Sequence, residues 1–227
     1  MISANSARSQ PRQIPERATL EWAAAAAILD AGFLASVGFA VEGQPFVIPM
    51  LYGRADRSLF LHGAAVSRIM TELRHGVPVC VSVTLVDGLV LARSAFHHSM
   101  NYRSVVAFGT ATVIADPRAK LAALRRMSDH LLDGRWADVR GPNKNELAQT
   151  TVLEMRIDEA STKVRAGPPS DDPADYRRRT WAGELPLSLA ASAPIADART
   201  DRNTPLPPYL ARMIRFGAYD PPREDMP

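Results

Sequence analysis

Apolar and polar positions change period repeatedly along the chain, and each change marks an element. Residues 1–17 carry Ser, Gln, Pro and Arg with few apolar anchors, and a flexible arm is expected there. Thr19 is the expected N-cap of a helix over residues 20–31, with five consecutive alanines and Gly32 as its stop. The period then shortens. Residues 33–40, 45–52 and 59–62 are short apolar or β-branched runs separated by Glu42-Gly43, Arg54-Ala55-Asp56 and Gly63, the pattern of a strand meander. Ile69, Met70 and Leu73 recur on one helical face and predict a short helix over residues 67–75.

The second half continues in the same way. Residues 77–86 predict a strand, Asp87-Gly88 a hairpin turn and residues 89–92 its return strand. Residues 102–115 predict a long strand bent near Gly109. Asp116-Pro117 supplies an N-cap and a first-turn proline for a helix with the stripe Leu121, Leu124, Met127 or Ser128, and Leu131, ended by Gly134. Residues 150–157 predict one more strand. Strands in series with three helices give a mainly β chain: a small antiparallel barrel with peripheral helices, not a doubly wound parallel sheet. After Gly167 the chain turns proline-rich, with residues 181–189 as an apolar island. The expected division is therefore an arm over 1–17, one domain over 18–189, and a proline-rich extension over 190–227.

Composition narrows the function classes. A chain of 227 residues, 46% hydrophobic and 22% charged, fits one or two ordinary globular domains. The single cysteine, Cys80, excludes an internal disulfide framework and any multi-cysteine metal site. The longest apolar stretch, residues 22–29, is too short to span a bilayer, and the first residues show no secretory h-region, so the cytoplasm is the expected location. The net charge is only +3 and its cations are scattered. A nucleic-acid surface needs a one-signed patch, so neither a nucleic-acid nor a membrane partner is expected.

Four segments are candidates for chemistry. In residues 61–68 a strand ends at His62-Gly63 and a helix begins at Ser67-Arg68; backbone N–H groups, a hydroxyl and a guanidinium there suit a phosphate. The structural alternative is that Ser67 only caps and Arg68 is solvated. Residues 98–104 crowd Asn101, Tyr102, Arg103 and Ser104 at a strand entrance, or form a plain polar loop. Lys163 and Arg165 lie two residues apart on one face of an extended segment. Trp181 is an isolated indole, suited to packing or to a ligand. His97 and His98 are neighbours that diverge along a strand and are poor joint metal ligands. The chain has no HExxH, GxSxG, GxGxxG or P-loop pattern, and nothing nominates a side-chain nucleophile.

The run His62-Gly63-Ala64, residues 79–83, residues 87–94, His98-Ser-Met-Asn-Tyr-Arg-Ser-Val105 and Phe108-Gly109 resembles the pyridoxamine 5′-phosphate oxidase-like proteins. It is most similar to their flavin-nucleotide-binding branch, which includes nitroimidazole-resistance proteins. Gly134-Arg-Trp136, residues 161–165 and Trp181-Ala-Gly183 continue the likeness. The resemblance implies a six-stranded antiparallel Greek-key FMN-binding split barrel, homodimeric, with FMN at the subunit interface. Carried over by position, Val47, Ile48, Pro49 and Met50 run along the flavin ring edge. His62, Gly63, Ser67 and Arg68 surround the phosphate or ribityl chain, Tyr102, Arg103 and Ser104 complete that pocket, and Trp181 approaches the ring.

The implied activity is an FMN-dependent oxidoreductase taking electrons from NAD(P)H or a small substrate. Lys163 and Arg165 then stand as cations for an anionic substrate. The alternative is a flavin-binding carrier or sensor without turnover. Sister groups of this fold bind a deazaflavin or haem, and haem would use His62, His97 or His98 as axial ligand. The paired Arg and Lys phosphate ligands of the oxidases proper are not recognisable, so pyridoxal phosphate synthesis is not implied.

Overall fold

Six long strands carry the fold, and most of the predicted runs are among them. The structure, a computed structural model, describes residues 6–10 and 13–215. The chain divides into two compact units. One comprises residues up to 85 together with 101–167, and the other comprises 86–100 together with the residues from 168 onward. We call them the barrel unit and the second unit.

In chain order the barrel unit holds β1 (Ala18–Thr19), α1 (Trp22–Ala31), β2 (Leu34–Val41), β3 (Gln44–Leu51), β4 (Gly53–Ala55), β5 (Ser58–Ala64) and α2 (Arg68–Leu73). Then come β6 (Pro78–Leu91) and β7 (Ser99–Val113), which both run on into the second unit, followed by α3 (Pro117–Leu131), α4 (Arg135–Asp138), α5 (Lys144–Gln149) and β8 (Thr150–Arg165). The hydrogen-bonded order is β3-β2-β6-β7-β8-β5-β4, with β1 added to β8. β6, β7 and β8 form a meander, and β5 lies beside β8 although it precedes β6 in the chain. That crossover through α2 gives the Greek-key connection. The two ends of the open path, β3 and β4, are separated only by Tyr52, so the sheet begins and ends on nearly one stretch of chain.

The alternation of side chains explains the core. Val37, Leu59, Leu61, Val81, Leu153 and Met155 point inward from four strands and are fully buried with Leu29, Met70 and Leu73 from the helices. β7 and β8 shift register between Phe108 and Gly109, so that Phe108 faces Glu159 and Gly109 faces Ile157. This is a β-bulge, which bends a strand. Gly109 is required there, because a Cβ would stand 2.1 Å from the Arg156 carbonyl oxygen. The bend expected at Gly109 thus has a steric cause.

Several sequence expectations are corrected. Asp87-Gly88 is no turn: β6 runs through both residues to Leu91. The glycine serves a close approach instead, since a Cβ on Gly88 would lie 3.0 Å from the Leu185 carbonyl oxygen. Thr19 is not the N-cap of α1, which starts after Glu21. Thr19 pairs with Thr162 in the sheet, and its hydroxyl accepts from the Glu21 N–H. On α3 the buried positions are Ala123 and Met127, while Leu121 and Leu131 are exposed. The helix lies so close to β4 that a Cβ on Gly53 would meet the Met127 Cα at 2.7 Å, which favours small and flexible side chains on that face. Asp116 does cap α3, accepting from the Ala119 N–H at 2.7 Å. α4 and α5 were not expected. The signal for α5 was present as Asn143 and Glu146, which form a full capping box.

The described residues of the expected flexible arm engage the barrel unit. Ser6 and Arg8 donate to the Glu159 carboxylate at 2.5 Å and 2.7 Å, and Arg8 also lies over the Phe108 ring. Residues 1–5, 11–12 and 216–227, which include the ends of the arm and of the C-terminal extension, lie outside the described residues.

The second unit contains the outer end of β6 paired with β9 (Gly183–Pro186), in register Leu89 to Leu185, and α6 (Pro208–Arg215). Its centre is the enclosed carboxylate of Asp171, which accepts from the Arg93 and Ser94 N–H groups and from the Arg93 guanidinium. Burial raises the pKa of Asp171, and these hydrogen bonds outweigh it, so the net shift is downward. No helix among the described residues is long and apolar enough to cross a membrane.

Candidate functional site

The sequence-selected residues of the barrel unit fall into two groups. The first is built where β5 hands over to α2. His62 and Gly63 are the last residues but one of β5, and the chain then turns so that the Ser67 N–H donates to the Ala64 carbonyl at 2.9 Å. Ser67 occupies the N-cap position of α2, yet its hydroxyl makes no capping bond. The Ser67 Oγ is buried and has no hydrogen-bond partner among the described residues. A buried hydroxyl without a partner is costly unless something supplies one. Beside it, a Cβ on Gly63 would come 3.4 Å from the Ser67 Oγ and 3.1 Å from Met70, so the glycine keeps this corner open.

Arg68 joins this corner to β3. Its guanidinium lies 5.0 Å from the centre of the Phe46 ring, which itself stacks on Phe39. Phe46, Ile48 and Met50 pack inward from β3, while Val47, Pro49 and Leu51 face out. β3 is a margin of the sheet, paired only with β2. Pro45 and Pro49 share one alternation with Val47 and Leu51. A proline is tolerated in a paired strand where its nitrogen faces away from the partner, so the outward N–H groups are those of Val47 and Leu51. The margin therefore offers a run of carbonyls and two donors to a flat polar edge. His62 is exposed, with a pKa lowered by the partial desolvation of its ring, and its imidazole is neutral near neutral pH.

The second group lies where β7 enters the barrel unit. Tyr102, Arg103 and Ser104 pair across the sheet with Arg165, Val164 and Lys163 of β8, and the Ser104 hydroxyl donates to the Lys163 carbonyl at 3.3 Å. The two cations read as a pair differ in their surroundings. Arg165 is buried and donates to the Asn101 side chain and to the Gly167 carbonyl. Lys163 is half-buried, and its ammonium donates to the Gln13 carbonyl at 2.8 Å. Asn101 belongs to the segment that the sequence already singled out, whereas Gln13, which holds Lys163, carries no pattern that sequence reading could single out. Trp181 belongs to the second unit, where it is 67% exposed and its indole lies against Gly183.

Within one chain the two groups are paired to opposite ends of β8. His62 is paired with Val152 near the start of β8, and Arg103 with Val164 near its end. The two positions are twelve residue steps apart, roughly 40 Å of contour at about 3.3 Å per residue. A cavity of about 570 Å³ lined by Arg54 of β4 and by Arg125, Arg126, Asp129 and His130 of α3 contains none of the selected residues. Two of its cations are already paired, Arg54 with Asp30 and Arg125 with Asp129, so the strand groups are the better site.

Comparison with known proteins agrees with the strands and their order. The family described as pyridoxamine 5′-phosphate oxidase matches residues 21–164. The structure of the flavocytochrome Anf3 from Azotobacter vinelandii is 36% identical with a TM-score of 0.85, covering 92% of this chain and 97% of its own. That of a FAD and haem binding protein from Mycobacterium smegmatis is also 36% identical, with a TM-score of 0.83, covering 87% of this chain and 97% of its own. A protein named for 5-nitroimidazole antibiotic resistance, from Bacteroides thetaiotaomicron, shares the fold at 23% identity and a TM-score of 0.56, over 65% of this chain and 86% of its own. No curated protein matches the chain. With its antiparallel sheet built on six long strands and the family match over most of its length, the chain belongs to the pyridoxamine 5′-phosphate oxidase family.

Proposed function

We propose that this chain is a flavin-binding redox protein that works as a homodimer, each flavin held between a first group from one protomer and a second group from its partner. The observation that carries the cofactor is the likeness, at 36% identity over nearly the whole of both chains, to proteins named as a flavocytochrome and as a FAD and haem binder. FMN is the expectation from the sequence resemblance, and the Mycobacterium relative favours FAD. The residues suit either. The partnerless Ser67 hydroxyl beside Gly63 can donate to a phosphate oxygen, and Arg68 supplies the charge. The margin of β3, from Val47 to Met50, presents its backbone to the ring edge. Tyr102, Arg103 and Ser104 complete the site from the partner, because within one chain they lie too far along β8 to do so.

When bound, a flavin supplies hydride and single-electron transfer, chemistry for which this chain offers no side-chain substitute. The protein's own task is to fix the ring, offer donors where negative charge gathers, and leave one face accessible. We assign the reaction to the transfer of electrons from NAD(P)H or a small substrate, with Lys163 as the cation available to an anionic partner once Gln13 yields. The names of the same two relatives favour a second group, a haem, for which His62, His97 and His98 are the donors at hand.

The test is an absorption spectrum of the purified protein, with extraction and mass measurement of its cofactor, followed by anaerobic NADH or NADPH. A flavin spectrum that bleaches is expected, and a protein that binds neither FMN nor FAD would overturn the reading. Arg68→Ala and Arg103→Ala should each weaken flavin binding by about 1.5–3 kcal/mol, the scale of a charge-assisted hydrogen bond. Mixed dimers of the two variants should regain one full-affinity site per dimer. If both arginines serve the same chain's flavin, the mixed dimer gains nothing.

A further inference from the structure

The cation available to an anionic partner is tied down by the chain's own amino-terminal residues. Lys163 stands directly opposite Ser104 across β7 and β8, so both side chains leave the same face of the sheet. On its other side the Lys163 backbone pairs with Ala18 of β1, and the Thr162 hydroxyl donates to the Thr19 carbonyl at 3.1 Å. β1 thus brings the residues that precede it to Lys163, where the ammonium donates to the Gln13 carbonyl at 2.8 Å.

The turn that aims this carbonyl is strained. Ile14 has φ 51° and ψ 63°, in the left-handed region. A β-branched residue is an outlier there, because its side chain crowds the backbone, whereas glycine adopts the same conformation freely. Such strain persists only where surrounding contacts impose it. Two anchors do so here. One is β1 with the short 3-10 turn Pro15–Arg17, in which the Arg17 N–H donates to the Ile14 carbonyl at 3.2 Å. The other is the clasp of Ser6 and Arg8 on Glu159, which lies four residues before Lys163 and on the same face of β8. The bond held in this way is one that an anion can displace. A carbonyl carries no net charge, and among the described residues Lys163 makes no ion pair. A compact ammonium on a flexible stem pairs more strongly with a phosphate oxygen than with a neutral acceptor.

We infer that residues 13–19 form an autoinhibitory latch: the strained turn at Ile14 holds the Gln13 carbonyl on Lys163 and withholds that cation from a phosphate-bearing substrate until the turn opens. The inference rests on the reading of Lys163 as the cation for an anionic partner and adds how that cation is controlled.

The experiment compares the full-length protein with two variants of one residue. Ile14→Gly allows the left-handed turn, and Ile14→Pro forbids it, because proline fixes φ at about −65°. The chain has three lysines, Lys120, Lys144 and Lys163, so limited acetylation read by mass spectrometry reports each one separately. Exposed Lys144 is the reference, and Lys120, held by the Leu147 carbonyl, reports that the barrel unit is intact. Lys163 should react slowly in the wild type and in Ile14→Gly. In Ile14→Pro it should react about tenfold faster, the scale of one lost hydrogen bond to a charged group. NADPH titrated by calorimetry should bind Ile14→Pro about tenfold more tightly than the wild type, and adding Lys163→Ala should remove the gain. Equal Lys163 reactivity in the three proteins overturns the latch. So does faster reaction without tighter NADPH binding, or a gain in affinity that survives Lys163→Ala. Flavin content is read in parallel from the spectrum: a protein that takes up no flavin refutes the proposed function, while the lysine reactivities still decide whether Ile14 holds the latch closed.

Discussion

The barrel unit and the second unit are held together by different forces. In the barrel unit, strands and helices converge on fully buried Val37, Leu59, Leu61, Val81, Leu153 and Met155, so its order comes from apolar burial and close packing. The second unit buries far less apolar surface among its described residues, chiefly Val90, Ala92 and Tyr209. It is organised around one carboxylate, Asp171, and the short pairing of β9 on β6. A packed core melts as a whole, whereas a unit centred on a charged hydrogen-bond cluster can open by itself. A protein built this way can keep one unit rigid while the other opens.

The hardest test of this contrast is a cavity in the barrel core. Leu153→Ala should cost about 3 kcal/mol, within the range for leucine truncation in a close-packed interior, and should lower the urea midpoint of the whole chain. A shift no larger than that of a surface substitution would show the core to be less continuous than its burial indicates. A smaller, local effect is expected from Asp171→Asn, which keeps the shape and removes the charge. Hydrogen exchange should quicken at residues 88–91 and 183–186 while the barrel amides keep their protection. Equal acceleration in both units would erase the distinction drawn above.

The smallest effect concerns the clasp on the amino-terminal residues. The Glu159 pKa is brought down to about 2 from 4.5, first by the Ser6 hydroxyl and then by Arg8, against the opposing cost of burial. A depressed acid stabilises the folded contact fully above its ordinary pKa and loses that contribution as pH falls through the lowered one. Residues 6–9 should therefore stay docked at neutral pH and loosen between about pH 4.5 and 2, ahead of the barrel. Pepsin cleavage near the amino terminus across that window reads this directly, and cleavage independent of pH counts against the clasp.

Much of this was legible in the sequence, for physical reasons that can be named. Strands of alternating pattern, such as residues 33–40 and 45–52, and the Asp116-Pro117 helix start declare themselves locally. Asp87-Gly88 misled because a glycine that makes a tight turn and one that admits a neighbouring strand look the same in one dimension. The buried face of α3 was misjudged because the closeness of Gly53 to Met127 is a long-range fact. The corner at Gly63, Ser67 and Arg68 could be proposed from its residue types, yet its link to β3 through Phe46 is visible only in three dimensions. Nor does any local pattern reveal that His62 and Arg103 pair with opposite ends of β8. That separation follows from pairings between residues about ninety and sixty positions apart in the chain.

The prolines of β3 bear on the protein's behaviour in a crowded cell. A free strand margin with all its donors in place invites another chain to add on, the first step towards fibrils. Here two of the outward donors are missing, at Pro45 and Pro49, so an incoming strand would find gaps where its carbonyls need partners. A small planar molecule needs only one or two of these positions and is not refused. The same two residues thus guard the margin against strand addition while the Val47 and Leu51 donors stay in place.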